Sequence, residues 1–268
     1  MDFLKLLAEE RRNILKVKDI TAPTAQDLAT SLCCVTPSNN NVCNEQNYRV
    51  HINQCYNSSV FCMSNFRFSF EGVDEVFYFP DFIDHEVEAK LISTLDYIDW
   101  KVLTSRKSKV FGNVIKSSNM KAEDGYVRSS IPYWLESFID ELVRLHIFPE
   151  CLRPDSILVN KYNPTEGILH HTDGPSYYDR VAILSLRSDC VMSFRHKVLT
   201  EEIGGDVYTG DIFSVILQSC SLLVFTGDVY SKHMHGIAAE PTMRQSSKDY
   251  GVCLNAPSAD TTVENTHE

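Results

Sequence analysis

The sequence predicts an α+β protein: a jelly-roll-like double β-sheet, preceded by helices that cover the larger sheet. Three observations carry this expectation. From Asp155 onward the chain breaks into short runs rich in Val, Ile, Leu, Phe and Tyr, separated by turn dipeptides such as Asn163-Pro164 and Gly174-Pro175. Ahead of these runs lie two stretches whose apolar residues recur at helical spacing. The composition, 43% hydrophobic and 10% aromatic over 268 residues, suits a globular chain with one sizeable core.

The elements follow in order. Met1 to Leu15 alternates leucines with Lys5, Glu9, Glu10, Arg11 and Arg12, which reads as a short amphipathic helix and not as a secretory signal. Residues 20–65 carry Pro23, Pro37 and the Asn39 to Asn41 cluster and show no sustained period. With the first helix they make a poorly ordered, cysteine-rich extension over residues 1–70. Val76 to Phe79 is a β-prone run ended by Pro80. Asp84 is a helix N-cap, and Val87, Leu91, Leu95 and Ile98 fall on one helical face. A second helix begins near Ser130 with Pro132 at an early position. Its stripe of Trp134, Leu135, Phe138, Ile139, Leu142 and Val143 reads as core packing. Strands are expected at 156–162, 168–171, 181–186, 191–194, 211–217 and 221–225, completing a domain over residues 71–240. The tail 241–268 is polar, with strand character only from Gly251 to Leu254.

Composition also excludes function classes. No apolar run is long enough to cross a membrane. A net charge of −11 argues against nucleic-acid binding through a bulk basic field. Arg106-Lys107-Ser108-Lys109 is the best local basic patch, and on charge alone it reads as a solvated loop. Five of nine cysteines crowd Cys33 to Cys62 without a Cys-x-x-Cys pair, so free thiols are expected in preference to a zinc site. Without a secretory signal, disulfides are not expected either, and the expected location is cytoplasm and nucleus.

The chemistry sits in His171-Thr172-Asp173 and the later segment Lys232-His233-Met234-His235-Gly236-Ile237. Residues two apart on a strand share a face, so His171 and Asp173 can reach one metal together. His170 lies three residues from Asp173 and faces away. A histidine from the later segment would complete a two-histidine, one-carboxylate face, the donor set of non-haem Fe(II) oxygenases. His233 and His235 share a face, and periodicity leaves both open. A lone strand histidine is most often structural; the later histidine followed by glycine, in the same expected sandwich, strengthens the metal reading. Asn160 and Tyr162, on the residues alone, read as a strand asparagine and a core tyrosine.

Taken together, Asn160-Lys161-Tyr162, His171-Thr-Asp173-Gly-Pro-x-Tyr-Tyr178, Ser221-Leu-Leu-Val224 and His235-Gly-Ile237 resemble the AlkB-type Fe(II)/2-oxoglutarate dioxygenases. Glu166-Gly-Ile168, the Asp-Gly-Pro-x-Tyr-Tyr run and Phe77-Tyr-Phe-Pro-Asp-Phe82 resemble the branch called AlkB homologue six. The resemblance covers about Val73 to Ala239. It implies a double-stranded β-helix, with Fe(II) held by His171, Asp173 and His235 and 2-oxoglutarate bound by Asn160 and Tyr162. No catalytic residue beyond the metal ligands is implied. The activity implied is O2-dependent oxidative dealkylation of an N-alkylated substrate, usually a nucleic-acid base, by a monomer. The rival is a catalytically impaired or non-catalytic binding protein on the same fold. One departure stands out. The family carries an Arg-x-Ser-x-Thr-x-Arg-like strand after the last ligand histidine, and its arginine grips the far carboxylate of 2-oxoglutarate. Here Arg244 alone follows His235, in a stretch without a strand pattern. The expectations are a truncated sequence, substitution by Arg244, or a metal site kept without turnover, each with a sheet edge left unpaired.

Overall fold

Two β-sheets and three α-helices supply most of the regular structure in the computed structural model, which describes residues 29–35, 49–56, 61–70, 73–112, 130–174, 177–200, 205–239 and 252–255. The expected helix at Met1 to Leu15 and the residue Arg244 lie outside this set. The strands are β1 (Ala29–Val35), β2 (Arg67–Phe70), β3 (Val73–Phe79), β4 (Lys101–Val102), β5 (Lys107–Gly112), β6 (Ser156–Tyr162), β7 (Ile168–His171), β8 (Arg180–Leu186), β9 (Cys190–Thr200), β10 (Gly205–Leu217), β11 (Leu222–Thr226), β12 (His233–Ile237) and β13 (Val252–Cys253). The helices are α1 (His85–Leu95), α2 (Tyr133–Arg144) and α3 (Gly227–Lys232).

The near-continuous apolar run of β3 follows from burial on both faces. Phe77 and Phe79 point into one core, Val76 and Tyr78 into the other. Asp84 caps α1 as expected, its Oδ1 accepting from the Val87 N–H at 2.8 Å. Val87, Leu91 and Leu95 are buried beneath it, and Ile98 packs at the edge of the same core. Pro132 stands at the N-cap of α2, and the expected stripe of Leu135, Phe138, Ile139, Leu142 and Val143 is buried.

The large sheet has eight strands in the order β2-β3-β11-β8-β1-β6-β5-β4, and the small sheet five in the order β13-β10-β9-β12-β7. All pairs are antiparallel except β10 with β13. Helices α1 and α2 share the first core with Phe77, Phe79, Ile157, Val159, Leu184 and Val224 of the large sheet. The second core joins the other row of that sheet, Tyr78, Tyr162, Ile183 and Phe225, to Met192, Phe194, Phe213 and Val215 of the small sheet. The α+β class therefore holds, with the helices ahead of the strand-rich region.

Three expectations are corrected. The stretch 20–65, read as irregular, supplies β1, and Val50, Ile52 and Tyr56 are buried in the first core. Its runs were too short to show a period. Of Arg106 to Lys109, read as a solvated loop, Lys107, Ser108 and Lys109 belong to β5, which pairs with β6 from Lys107↔Lys161 to Gly112↔Ser156, while Arg106 precedes the strand and is half-buried. The charged residues deceived because alternate positions face solvent while Ser108 between them is 2% exposed. Finally, β6 and β8 have no unpaired edge. β1 lies between them, antiparallel to both, with Leu32 opposite Val159 on one side and Leu184 on the other.

Candidate metal centre

The centre is assembled where β7 and β12 run side by side at the edge of the small sheet. His235 pairs directly with His171 across this ladder, and their rings stand 4.4 Å apart between centroids. The approach is close because the strands meet across glycines. A Cβ at Gly236 would lie 2.9 Å from the His170 backbone nitrogen, and one at Gly167 would lie 2.3 Å from the Ile237 carbonyl oxygen. Real Cβ atoms do not come so near backbone, so a side chain at either position would push the two histidine-bearing strands apart.

After His171 the chain leaves the strand and turns through Asp173 and Gly174. Gly174 has φ +84°, a left-handed conformation that costs other residues about 1–2 kcal/mol. The Tyr230 hydroxyl of α3 donates to the Gly174 carbonyl at 2.7 Å and ties this turn to the helix. The donor atoms of His171, Asp173 and His235 thereby come within 4.8 Å of one another. Asp173 Oδ1 stands 3.8 Å from His171 Nε2, and Asp173 Oδ2 stands 3.9 Å from His235 Nε2.

The surroundings suit a cation. His171 Nδ1 is hydrogen-bonded to the Leu169 carbonyl at 2.8 Å, which places the proton on Nδ1 and leaves the Nε2 lone pair toward Asp173. His235 is buried beside Phe225 and Phe194, with ring centroids at 5.1 and 6.2 Å. That burial, reinforced by His171 and His170, holds its imidazole well below the ordinary value of 6.5, so it is neutral and able to ligate. Burial pushes the Asp173 carboxyl up, opposed by His171. An ionised carboxylate at such a site needs a positive partner, and a divalent metal supplies one. The three groups form one face, and the remaining side is open: His171 and Asp173 keep 23% and 30% of their side-chain surface exposed. Two imidazoles and a carboxylate with vacant positions opposite them is the donor set that suits Fe(II).

The neighbouring histidines separate on geometry. His170 turns to the opposite face, where its Nε2 pairs with Ser193 Oγ at 2.8 Å. His233 shares the face of His235 but bonds the Asp228 carbonyl through Nδ1 at 3.2 Å and packs its ring against His196 and Phe213. Asn160 and Tyr162 are buried on β6; Tyr162 lines the same inter-sheet core as Phe194, and the Asn160 Oδ1 atom has no hydrogen-bond partner among the described residues. Glu166 has a structural role: its carboxylate accepts from the Asn163 N–H at 2.8 Å and closes the turn between β6 and β7.

Sequence reasoning missed a second cluster, His85, Glu88 and Cys220. Nothing in the sequence signals it, because Cys220 comes from the distant turn before β11. Its groups already satisfy one another. Glu88 accepts from the Arg187 N–H at 2.7 Å and from Ser219 Oγ, and its other oxygen meets His85 Nδ1 at 3.1 Å. It braces α1 against the sheet rather than presenting an open face.

A sequence model of the 2OG-Fe(II) oxygenase superfamily matches residues 76–256, more than half of the chain. The zebrafish (Danio rerio) protein named "Probable RNA/DNA demethylase ALKBH6" is 28% identical over 172 residues, 62% of this chain and 70% of that protein. The Macaca fascicularis tRNA (carboxymethyluridine(34)-5-O)-methyltransferase ALKBH8 is 29% identical over 166 residues, 59% of this chain but 23% of its own length. The Arabidopsis thaliana RNA demethylase ALKBH9B is 28% identical over 116 residues, 43% of this chain and 22% of its own.

Proposed function

The chain belongs to the 2OG-Fe(II) oxygenase superfamily and is an Fe(II)/2-oxoglutarate-dependent dioxygenase; from that premise we propose that it is an AlkB-type enzyme, nearest the AlkB homologue six branch, that oxidatively removes N-alkyl groups from nucleic-acid bases. The observation that carries this reading is the convergence of His171, Asp173 and His235 on one open face. The names of the relatives support the substrate class.

In this reading the two sheets are a double-stranded β-helix, residues 71–240 are the catalytic domain, and His171, Asp173 and His235 hold the iron. Bound iron supplies the activation of O2, coupled to oxidative decarboxylation of 2-oxoglutarate. The chain's own residues do the positioning. Asn160 and Tyr162, two apart on β6, present one face to the cosubstrate. The Leu169 carbonyl fixes the His171 tautomer, and Tyr230 fixes the turn that carries Asp173. Phe194 and Phe225 keep water from the His235 side. A base would reach the open side single-stranded or flipped out of a duplex.

Anaerobic titration of 2-oxoglutarate into the Fe(II)-loaded protein tests the site, with a visible charge-transfer band as the expected result. Turnover is then read as succinate and formaldehyde from N-methylated single-stranded oligonucleotides. A band without either product would identify the non-catalytic rival, and succinate and formaldehyde from a methylated peptide instead would move the substrate class to protein.

A further inference from the structure

2-Oxoglutarate is a dicarboxylate. If Asn160 and Tyr162 face it as proposed, its far carboxylate would lie beside the inter-sheet core that Tyr162 lines, and an ionised group there would need a cationic or strongly donating partner. The identity of that partner can be read from the strands around Asn160 and Tyr162. On one side of β6 lies β1, whose residues Ala29-Thr-Ser-Leu-Cys-Cys-Val35 include no cation. The register places Ala29 beside Tyr162, and Ser31 between Asn160 and Ser185. On the other side lies β5, with Ser108 beside Asn160 and Lys107 beside Lys161.

Extending this antiparallel register by one residue brings Arg106 beside Tyr162. Strand alternation puts Arg106 on the face of Ser108, Asn160 and Tyr162, away from Lys107 and Lys161. The opposite face is the helical side, since Lys161 pairs with Asp96 at 2.9 Å and lies over Trp100. Both flanks of Arg106 are pinned. Its carbonyl accepts from the Leu103 N–H at 2.9 Å, and the Ser105 carbonyl accepts from the Gly167 N–H at 3.2 Å, next to the strand that carries His171. Its Nε is buried and has no hydrogen-bond partner among the described residues, as is true of two other donors, Ser185 Oγ and Arg180 Nε, and Arg180 stands on β8, away from β5. Buried polar atoms are rarely left unpaired without a ligand or water to meet them.

Resting on the dioxygenase reading above, we propose that Arg106 is the cationic anchor for the far carboxylate of the 2-oxo acid cosubstrate, with β1 closing the sheet on the other side of Tyr162 and contributing no charge. The strand that completes the fold and the residue that grips the cosubstrate thus come from opposite sides of β6. Ser185, whose hydroxyl is free to donate, assists from the far side of β1.

The test compares two acids, 2-oxoglutarate and 2-oxopentanoate, which has the same length but lacks the far carboxylate. Each is titrated anaerobically into the full-length Fe(II)-loaded protein and followed by the charge-transfer band. Wild type is expected to prefer 2-oxoglutarate. Arg106→Gln is expected to weaken 2-oxoglutarate binding by roughly ten- to a hundredfold and leave 2-oxopentanoate unchanged, with Arg106→Lys recovering part of the loss. Thermal melts by circular dichroism identify a variant that fails to fold, and Arg106→Lys then carries the comparison. Unchanged 2-oxoglutarate affinity, or equal weakening of both acids, overturns the assignment of Arg106 and leaves the dioxygenase reading standing. Failure of wild type to bind either acid overturns both.

Discussion

At the scale of the residue, the candidate centre depends on groups that never touch a metal. Tyr230 holds the Asp173-Gly174 turn through one hydrogen bond. Tyr230→Phe is expected to weaken Fe(II) binding by about tenfold, and Asp173→Ala to abolish it, both measured as iron retained after anaerobic gel filtration. Retention of stoichiometric iron by Asp173→Ala would remove Asp173 from the ligand set. Glu88 illustrates a different dependence. Burial pushes its carboxyl up, but hydrogen bonds from Ser219, the Arg187 N–H, His85 and Cys220 outweigh it and hold the group below its ordinary 4.5. A depressed native value means the stabilisation is complete above that ordinary value and is lost as pH falls through the native one. Glu88→Gln should therefore cost about 1.5–3 kcal/mol at pH 7, with the gap to wild type in urea unfolding narrowing as the medium is acidified. A gap that stays constant into acid would show that ionisation of Glu88 contributes nothing.

At the scale of the element, the ladder between β7 and β12 sets the spacing of the two histidines. Gly236→Ala forces a Cβ to within 2.9 Å of the His170 nitrogen. It should weaken iron binding without deleting a ligand, and a calorimetric titration with Fe(II) reads the effect. Strand β1 can be tested as directly. It pairs on both sides, so a proline anywhere within it deletes a ladder hydrogen bond in the middle of a sheet. Leu32→Pro should cost about 3 kcal/mol or more, seen as a large drop in melting temperature. An unchanged melting temperature would mean that β1 is dispensable. Legibility differed among elements for physical reasons. Helices α1 and α2 were readable because a start signal, the Asp84 cap in one and Pro132 in the other, coincides with a 3.6-residue stripe. His171 and Asp173 were paired from a two-residue strand spacing, yet β7 ends at His171 and Asp173 approaches from the following turn, which the spacing could not show. Strand β1 was not, since seven residues rich in small side chains, between proline-bearing stretches, carry no alternation. The Lys107 to Lys109 stretch was misjudged because charge was weighed without the neighbouring strand β6, against which Ser108 is buried.

At the scale of the whole molecule, two cores lie on either side of one large sheet, and the candidate metal centre lies at the edge of the small sheet across the second core. The net charge of −11 sets a bound on any nucleic-acid contact. Exposed Lys101 and Lys107 offer a small basic edge on β4 and β5, enough for about two phosphates. Single-stranded oligonucleotide binding followed by fluorescence anisotropy should then show a log–log salt slope no steeper than about −2. A slope several times steeper would require a broad basic face. The net charge argued against such a face from the start, whereas the meeting of the His85, Glu88 and Cys220 side chains was visible only after the chain had folded.

The central place of β1 also bears on how the protein is made. Strand β1 is synthesised before every other strand described, yet both of its partners come later, β6 ending at Tyr162 and β8 at Leu186. During translation it must wait on the order of ten seconds for its second neighbour to leave the ribosome. Contacts of such long sequence separation slow folding. Until β8 arrives, a strand destined for the middle of a sheet is open to wrong partners, so the yield of native protein should depend on chaperones and on growth temperature more than its final stability would suggest.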